Sequence, residues 1–390
     1  MRLITNFSFA LLLASTAFIS LAFSEKKQFE FKKQTKPSFE QPKIQVAILL
    51  DVSGSMDGLI DQAKTQLWNM VNTIGKAKCE NAVAPQIEIA LFEYGRTNNE
   101  VSKGYVKMIN SFMGDLDSLS QNLFSLKTNG GEEYCGRVIF SALNELNWDT
   151  NNESYKVIFI AGNESFLQGD LPYIQACTLA KQKGVIVNTI FCGNKMQGIK
   201  EHWNLADNCG NGSYTNINQN AKEQEMPTPY DSILYVLNDK LNGTYISYGA
   251  MGYTKKMKQV QMDQVNSSAS KNANMKRIAV KGKAGLYKNN DWDLVDASTS
   301  NAKAIETLDI KTLPDSLQNK SRDEIKALLN KKAAERNTIQ KEIASTSILR
   351  DQFIATEKAK LVSANTEATL ETEIEKIIKT QAARFKIIVE

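Results

Sequence analysis

The chain has 390 residues, of which 23% are charged and 42% hydrophobic, and its net charge is +4. That length leaves room for one full domain and a smaller second unit, in the composition of ordinary globular proteins. A positive charge this small, with no stripe of basic and aromatic residues, gives no ground for a nucleic-acid partner, and none is expected.

The N-terminus carries the first signal. After Arg2, residues 9–23 are apolar except for Ser15, Thr16 and Ser20, and the stretch ends in Ala22-Phe23-Ser24. This reads as a signal peptide over residues 1–24, cut before Glu25, and no cysteine stands at the junction to take a lipid. No later stretch reaches the ~20 apolar residues that cross a bilayer, so no transmembrane segment is expected after cleavage. The protein is therefore expected to be exported: periplasmic, on the cell surface or secreted. Residues 25–42 are polar and lysine-rich and read as a flexible leader. The five cysteines (Cys79, Cys135, Cys177, Cys192, Cys209) form no CxxC pair, and His202 is the only histidine, so no zinc pattern exists. One or two disulfides, or small buried side chains, both remain open readings.

From Lys43 the pattern changes. Residues 44–50 are a β-branched and apolar run interrupted only by Gln45, short enough for a strand buried on both faces. Residues 59–74 follow with helical spacing (Ile60, Ala63, Leu67, Met70, Val71, Ile74) and a stop at Gly75. Strands are predicted at 87–92, 105–109 (an edge strand), 157–160, 185–191 and 212–217. Helices are predicted at 116–126, 138–146, 171–183 and 230–241. Strands alternating with helices over 43–249 predict an α/β domain: a doubly wound, Rossmann-like, mostly parallel sheet with helices on both faces. Ligands of such sheets bind beyond the carboxyl ends of the strands.

Beyond Gly249 the chain turns polar, and residues 250–320 read as a linker with one apolar cluster at Leu286, Tyr287 and 292–295. Residues 321–390 read as a helical C-terminal region. Ser321-Arg322-Asp323-Glu324 is a capping box, and Ile325, Leu328, Leu329, Ile339 and Ile343 fall on one face. These helices either form a small bundle or offer an amphipathic face to a partner.

One short segment carries chemistry. Asp51-Val52-Ser53-Gly54-Ser55 sets one carboxylate and two hydroxyls on a turn directly after a buried strand. Such hard oxygen donors suit magnesium, manganese or calcium rather than zinc or copper. Capping of the next helix by Asp51 or Ser53 is the simpler alternative, but it accounts for only one of the three residues.

Asp51-x-Ser53-x-Ser55 after an apolar strand resembles the metal-ion-dependent adhesion site of von Willebrand factor type A (VWA) domains, and the element order over 43–241 resembles their fold. The resemblance implies two further loops at the metal. The loop before the helix at Val138 nominates Glu132 of Gly130-Gly131-Glu132, with Thr128 as the alternative. The loop after Ile160 nominates Asn163, where the family usually has aspartate, with Glu164 as fallback. It also implies a divalent cation, magnesium first and manganese or calcium as alternatives, and a protein partner presenting a carboxylate to it. The competing readings are a metal-free envelope scaffold acting through the C-terminal helices, and a metal-assisted hydrolase. The second lacks a nucleophile elbow, a phosphate loop and a His-Glu-x-x-His motif, so no enzyme is expected.

Overall fold

A computed structural model of the chain describes residues 41–57, 59–79, 84–217, 226–361 and 370–389. The expected signal peptide and nearly all of the leader lie outside these residues.

Strand β1 (Lys43–Asp51) shows why a nearly continuous apolar run is needed, with Gln45 buried and hydrogen-bonded to Glu88. Its alternate side chains go to opposite faces of the sheet. Ile44, Val46, Ile48 and Leu50 enter one apolar layer, and Ala47 and Leu49 enter another. Helix α1 (Leu59–Ile74) follows, then a short strand β2 (Ala77–Cys79) and β3 (Gln86–Tyr94). The edge strand β4 (Lys107–Met113) begins two residues later than its sequence suggests, because Tyr105 sits at φ 58°, outside any strand conformation. Next come α2 (Leu116–Ser125), α3 (Cys135–Glu145), β5 (Tyr155–Gly162), α4 (Tyr173–Lys183), β6 (Ile186–Cys192), α5 (Lys195–Lys200) and β7 (Tyr214–Ile217).

The sheet order is β4-β3-β1-β5-β6-β7. Every pairing is parallel except that of β3 with β4. The chain moves outward from β1 to β3 on one side and later to β5 on the other. The order therefore reverses at β1, and the crevice at its carboxyl end is the place where such sheets bind ligands. Asp51 is the last residue of β1.

The first apolar layer lies between the sheet and α1, with Trp68, Met70, Val71 and Ile74, together with residues of α2. The second lies between the other face and α3 and α4, with Val138, Ile139, Ala142, Ala176 and Ala180. A disulfide joins Cys177 of α4 to Cys209. Cys79, Cys135 and Cys192 are buried thiols outside it.

After α6 (Asp231–Asn242), residues 250–320 are not the irregular linker that their polarity suggests. They contain α7 (Gly252–Ala269), α8 (Lys271–Lys281), α9 (Leu294–Ser300) and the single turn α10 (Asp315–Gln318). The polar residues that hid these helices are inside them. Gln259, Asp263 and Asn266 of α7 and Asn274, Arg277 and Lys281 of α8 are all buried, and Arg277, Lys281 and Asn238 of α6 converge on Asp263. Asn266 opens the sequon Asn266-Ser267-Ser268, yet it is fully buried and accepts a 2.6 Å hydrogen bond from the Trp68 indole.

The long helix α11 (Arg322–Leu361) starts at the expected capping box, with the Ser321 amide donating to the Glu324 carboxylate at 2.8 Å. Only a narrow stripe of it is buried, including Ile325, Leu329, Arg336, Gln340, Ile343 and Arg350. Helix α12 (Leu370–Ala382) packs Ile374, Ile377 and Ile378 into the same layer as α1, and β8 (Ile387–Val389) pairs with β2. Gln381 of α12 bonds Asn188 of β6 and the Tyr155 hydroxyl of β5. A boundary at residue 249 thus does not separate two cores. The C-terminal helices complete the sheet's own core, and a small third core around Ile246, Leu294, Leu308 and Leu317 adjoins the start of α11. No helix among the described residues is long and apolar enough to cross a membrane.

Candidate functional site

The turn after β1 is a single tight helical turn over Gly54–Met56. Ser53 precedes it but makes no side-chain cap bond, so capping does not occupy its hydroxyl. Instead the Ser53 and Ser55 hydroxyls lie 2.9 Å apart, and the Ser55 hydroxyl donates to Asn163 Oδ1 at 2.9 Å. The Ser53 amide donates to Asp51 Oδ1 at 2.7 Å, which folds the turn back on the carboxylate. Asp51 is fully buried, and its Oδ2 has no hydrogen-bond partner.

Three of the expected residues, Ser53, Ser55 and Asn163, thus form one continuous chain of oxygens at the carboxyl ends of β1 and β5, with Asp51 at its root. The loop before α3 is placed differently from expectation. Glu132 is exposed and turned outward, where it accepts a 2.9 Å hydrogen bond from Gln168 Nε2. Its neighbour Glu133 is buried and lies against Asp51 and Ser53. Thr128 is half-buried and its hydroxyl bonds Asp57. Glu164 is exposed, and its own backbone carbonyl accepts from the Trp203 indole at 2.7 Å. His202 stands exposed at φ 67° just before the turn 203–208, away from any helix interior.

The electrostatics follow from crowding acidic groups in a dry place. Burial pushes the Asp51 carboxyl up to about 6, against the pull of the Ser53 amide and hydroxyl and the Asn163 amide. Burial, and then the charges of Asp51 and Glu164, push Glu133 up to about 7. Among the described residues neither carboxylate has a salt-bridge partner, a costly arrangement for two buried acids unless something positive joins them.

Two residues outside the expected set shape this crevice. Gly95 follows β3 at φ 78°, and a Cβ there would stand 2.7 Å from Asp51 Oδ1 and 2.9 Å from Glu133 Cγ. Gly131 packs so closely that its Cβ would fall 2.5 Å from the Gly95 carbonyl oxygen. Side-chain-free backbone is what lets the 127–133 loop lie on the turn after β3 and bring Glu133 to Asp51.

The donors fit a hard divalent cation: two carboxylates, two hydroxyls and an amide oxygen, with a buried carboxylate oxygen left unpartnered. No cluster of three or more His, Cys, Asp or Glu arranged for a metal occurs among the described residues.

No family model and no curated protein matches the chain. Similar solved structures include proximal thread matrix protein 1 from the mussel byssus, 12% identical over 46% of this chain and 43% of that one, with a TM-score of 0.33. Another structure of that protein is described with a zinc-occupied MIDAS motif. The VWA domain of SpRpn10 is 16% identical over 46% of this chain and 90% of its own, with a TM-score of 0.34. The pilus adhesin SpaC of Lactobacillus rhamnosus GG, in its open conformation, is 13% identical over 46% and 28%, with a TM-score of 0.35. The match spans less than half the length of the byssus protein and of the adhesin. By its own strand order, its single antiparallel edge strand and its Asp-x-Ser-x-Ser turn, the α/β part of this chain has the VWA fold.

Proposed function

We propose that the protein is an exported binding module that holds a divalent cation at Asp51, Ser53 and Ser55, with Glu133 and Asn163, and through it an acidic group of a protein partner. The observation that carries this reading is the buried Asp51 carboxylate, one oxygen unpartnered, beside a second buried carboxylate and next to two hydroxyls that cap nothing. A bound cation supplies the positive charge that this pair lacks and an open coordination position for a ligand oxygen. The chain's own residues supply the rest. Asp51 and Glu133 provide the charge, Ser53 and Ser55 the neutral donors, and Asn163 fixes the Ser55 hydroxyl. Thr128 and Glu132, as placed here, act at the rim. We ascribe no catalytic step to this site. Magnesium is the first expectation, because hard oxygens at a tight turn suit it, with manganese and calcium next.

Asn163 makes the reading testable in the direction of gain. A carboxylate here adds a third negative charge beside the cation position, and each added charged donor tightens such sites. Asn163→Asp should therefore raise magnesium affinity about tenfold in calorimetric titration of the full chain, while the cation-free protein melts lower through repulsion with Asp51 and Glu133. Unchanged affinity would place Asn163 outside the cation's reach.

A further inference from the structure

We propose that Tyr134 is a positioning residue for the cation site, its ring wedged between Gly104 and Gly169 so that Glu133 is held against Asp51; this rests on the binding reading above. Tyr134 lies between the inward-turned Glu133 and Cys135, the first residue of α3. The Cys135 amide bonds the Glu133 carbonyl at 3.2 Å, so the chain turns sharply there. Where the Tyr134 ring settles therefore sets where the Glu133 carboxylate goes.

The ring is gripped from three sides. A Cβ on Gly104, in the loop after β3, would stand 3.2 Å from Tyr134 Cδ2. A Cβ on Gly169, in the loop after β5, would stand 2.7 Å from its Cγ and 3.0 Å from its Cβ. Both glycines have positive φ, 67° and 104°, so neither loop tolerates a side chain at that point. The Tyr105 ring meets Tyr134 edge-on, with centroids 5.8 Å apart and planes at 75°. Two polar clasps lie alongside: Gln168 to Glu132 at 2.9 Å, and Arg137 to Asp170 at 2.5 Å. The outward-facing Glu132 thus belongs to the fastening rather than to the crevice.

Packing for its own sake does not account for this tyrosine. Tyr134 is half-exposed and belongs to none of the three apolar cores. What it joins is the two loops that flank the crevice and the loop that carries Glu133.

The test titrates magnesium into the full chain by calorimetry, and follows melting with magnesium and with chelator, for wild type, Tyr134→Phe, Tyr134→Ala and Gly169→Ala. Tyr134→Ala should weaken magnesium binding about ten- to hundredfold, the range for residues that orient metal ligands, with melting in chelator nearly unchanged. Tyr134→Phe, which keeps the wedge, should bind as wild type does. Gly169→Ala leaves the ring present but pushes it, and should weaken binding even if Tyr134→Ala fails to fold. Wild-type affinity in Tyr134→Ala or Gly169→Ala overturns the proposal, as does a chelator melting point of Tyr134→Ala that falls in step with its affinity. A wild-type chain that binds neither magnesium, manganese nor calcium overturns the cation reading beneath it.

Discussion

Arg277→Ala is expected to destabilise the protein by about 3–5 kcal/mol, the cost of breaking a buried ion network by removing one member. The Arg277 side chain is fully buried between Asp117 at 2.7 Å and Asp263 at 2.8 Å. Its guanidinium also lies 5.1 Å from the Trp68 ring centroid, which ties α8 to α1. Without it, Asp117 stays buried with its Oδ1 stripped of its cation, and Asp263 keeps Lys281, at 2.8 Å, and the side-chain amides of Asn238 and Asn242. Arg277→Lys keeps the charge but not the fork that reaches two carboxylates, so it should recover only part of the loss. Urea unfolding of the full chain measures both. The same network predicts a pH dependence. Burial alone would raise the Asp263 carboxyl, but Lys281 and Arg277 outweigh it and hold the group well below the usual carboxylate range. A depressed carboxylate contributes stability that is fully present above its unfolded value of ~4 and is lost as pH falls from there toward the folded value. The urea midpoint should thus drop steeply below pH ~4 in wild type, and less steeply in Asp263→Asn.

Gly95→Ala is expected to abolish cation binding. A methyl group there enters the space of Asp51 Oδ1 and Glu133 Cγ, and the φ of 78° disfavours any L side chain. The backbone term alone costs on the order of 1–3 kcal/mol. The site should suffer more than the fold, because relief comes from moving the two carboxylates apart, and these are the proposed cation ligands. Calorimetric titration with magnesium should show no binding, and far-UV circular dichroism should remain that of wild type. Retained binding would show that Asp51 and Glu133 need not be this close.

Much of this was legible in the residues. The run at 157–160 is apolar at every position, and that at 44–50 at every position but Gln45, because both faces of β1 and β5 are covered, a pattern that predicts a buried parallel sheet. Asp51, Ser53 and Ser55 could be read because three oxygens at alternate positions after such a strand are unusual. The loop residues were harder. Glu132 and Glu133 are adjacent and chemically alike, and a loop has no period to say which one faces inward. The close approach of Gly95 and Gly131 depends on two distant segments touching, which no local pattern encodes. Residues 250–320 resemble a linker in sequence for a different reason. Their helices bury Gln259, Asp263, Asn266, Arg277 and Lys281 rather than an apolar stripe, so the usual signal of a packed helix is missing. Helix α12 was visible as a helix, but its return to the sheet face beside α1 was not, because about 150 residues separate it from β7.

The most direct test of the central claim is thermal unfolding of the full chain and of Asp51→Ala, each titrated with magnesium, manganese and calcium against chelator. A ligand at about 100 times its dissociation constant stabilises the native state by roughly 2.7 kcal/mol. In a chain of this size that amounts to a rise of about 3 °C. The account predicts such a rise in wild type with at least one of the three ions, and none in Asp51→Ala. Superimposable melting curves for wild type in chelator and in every ion would contradict it.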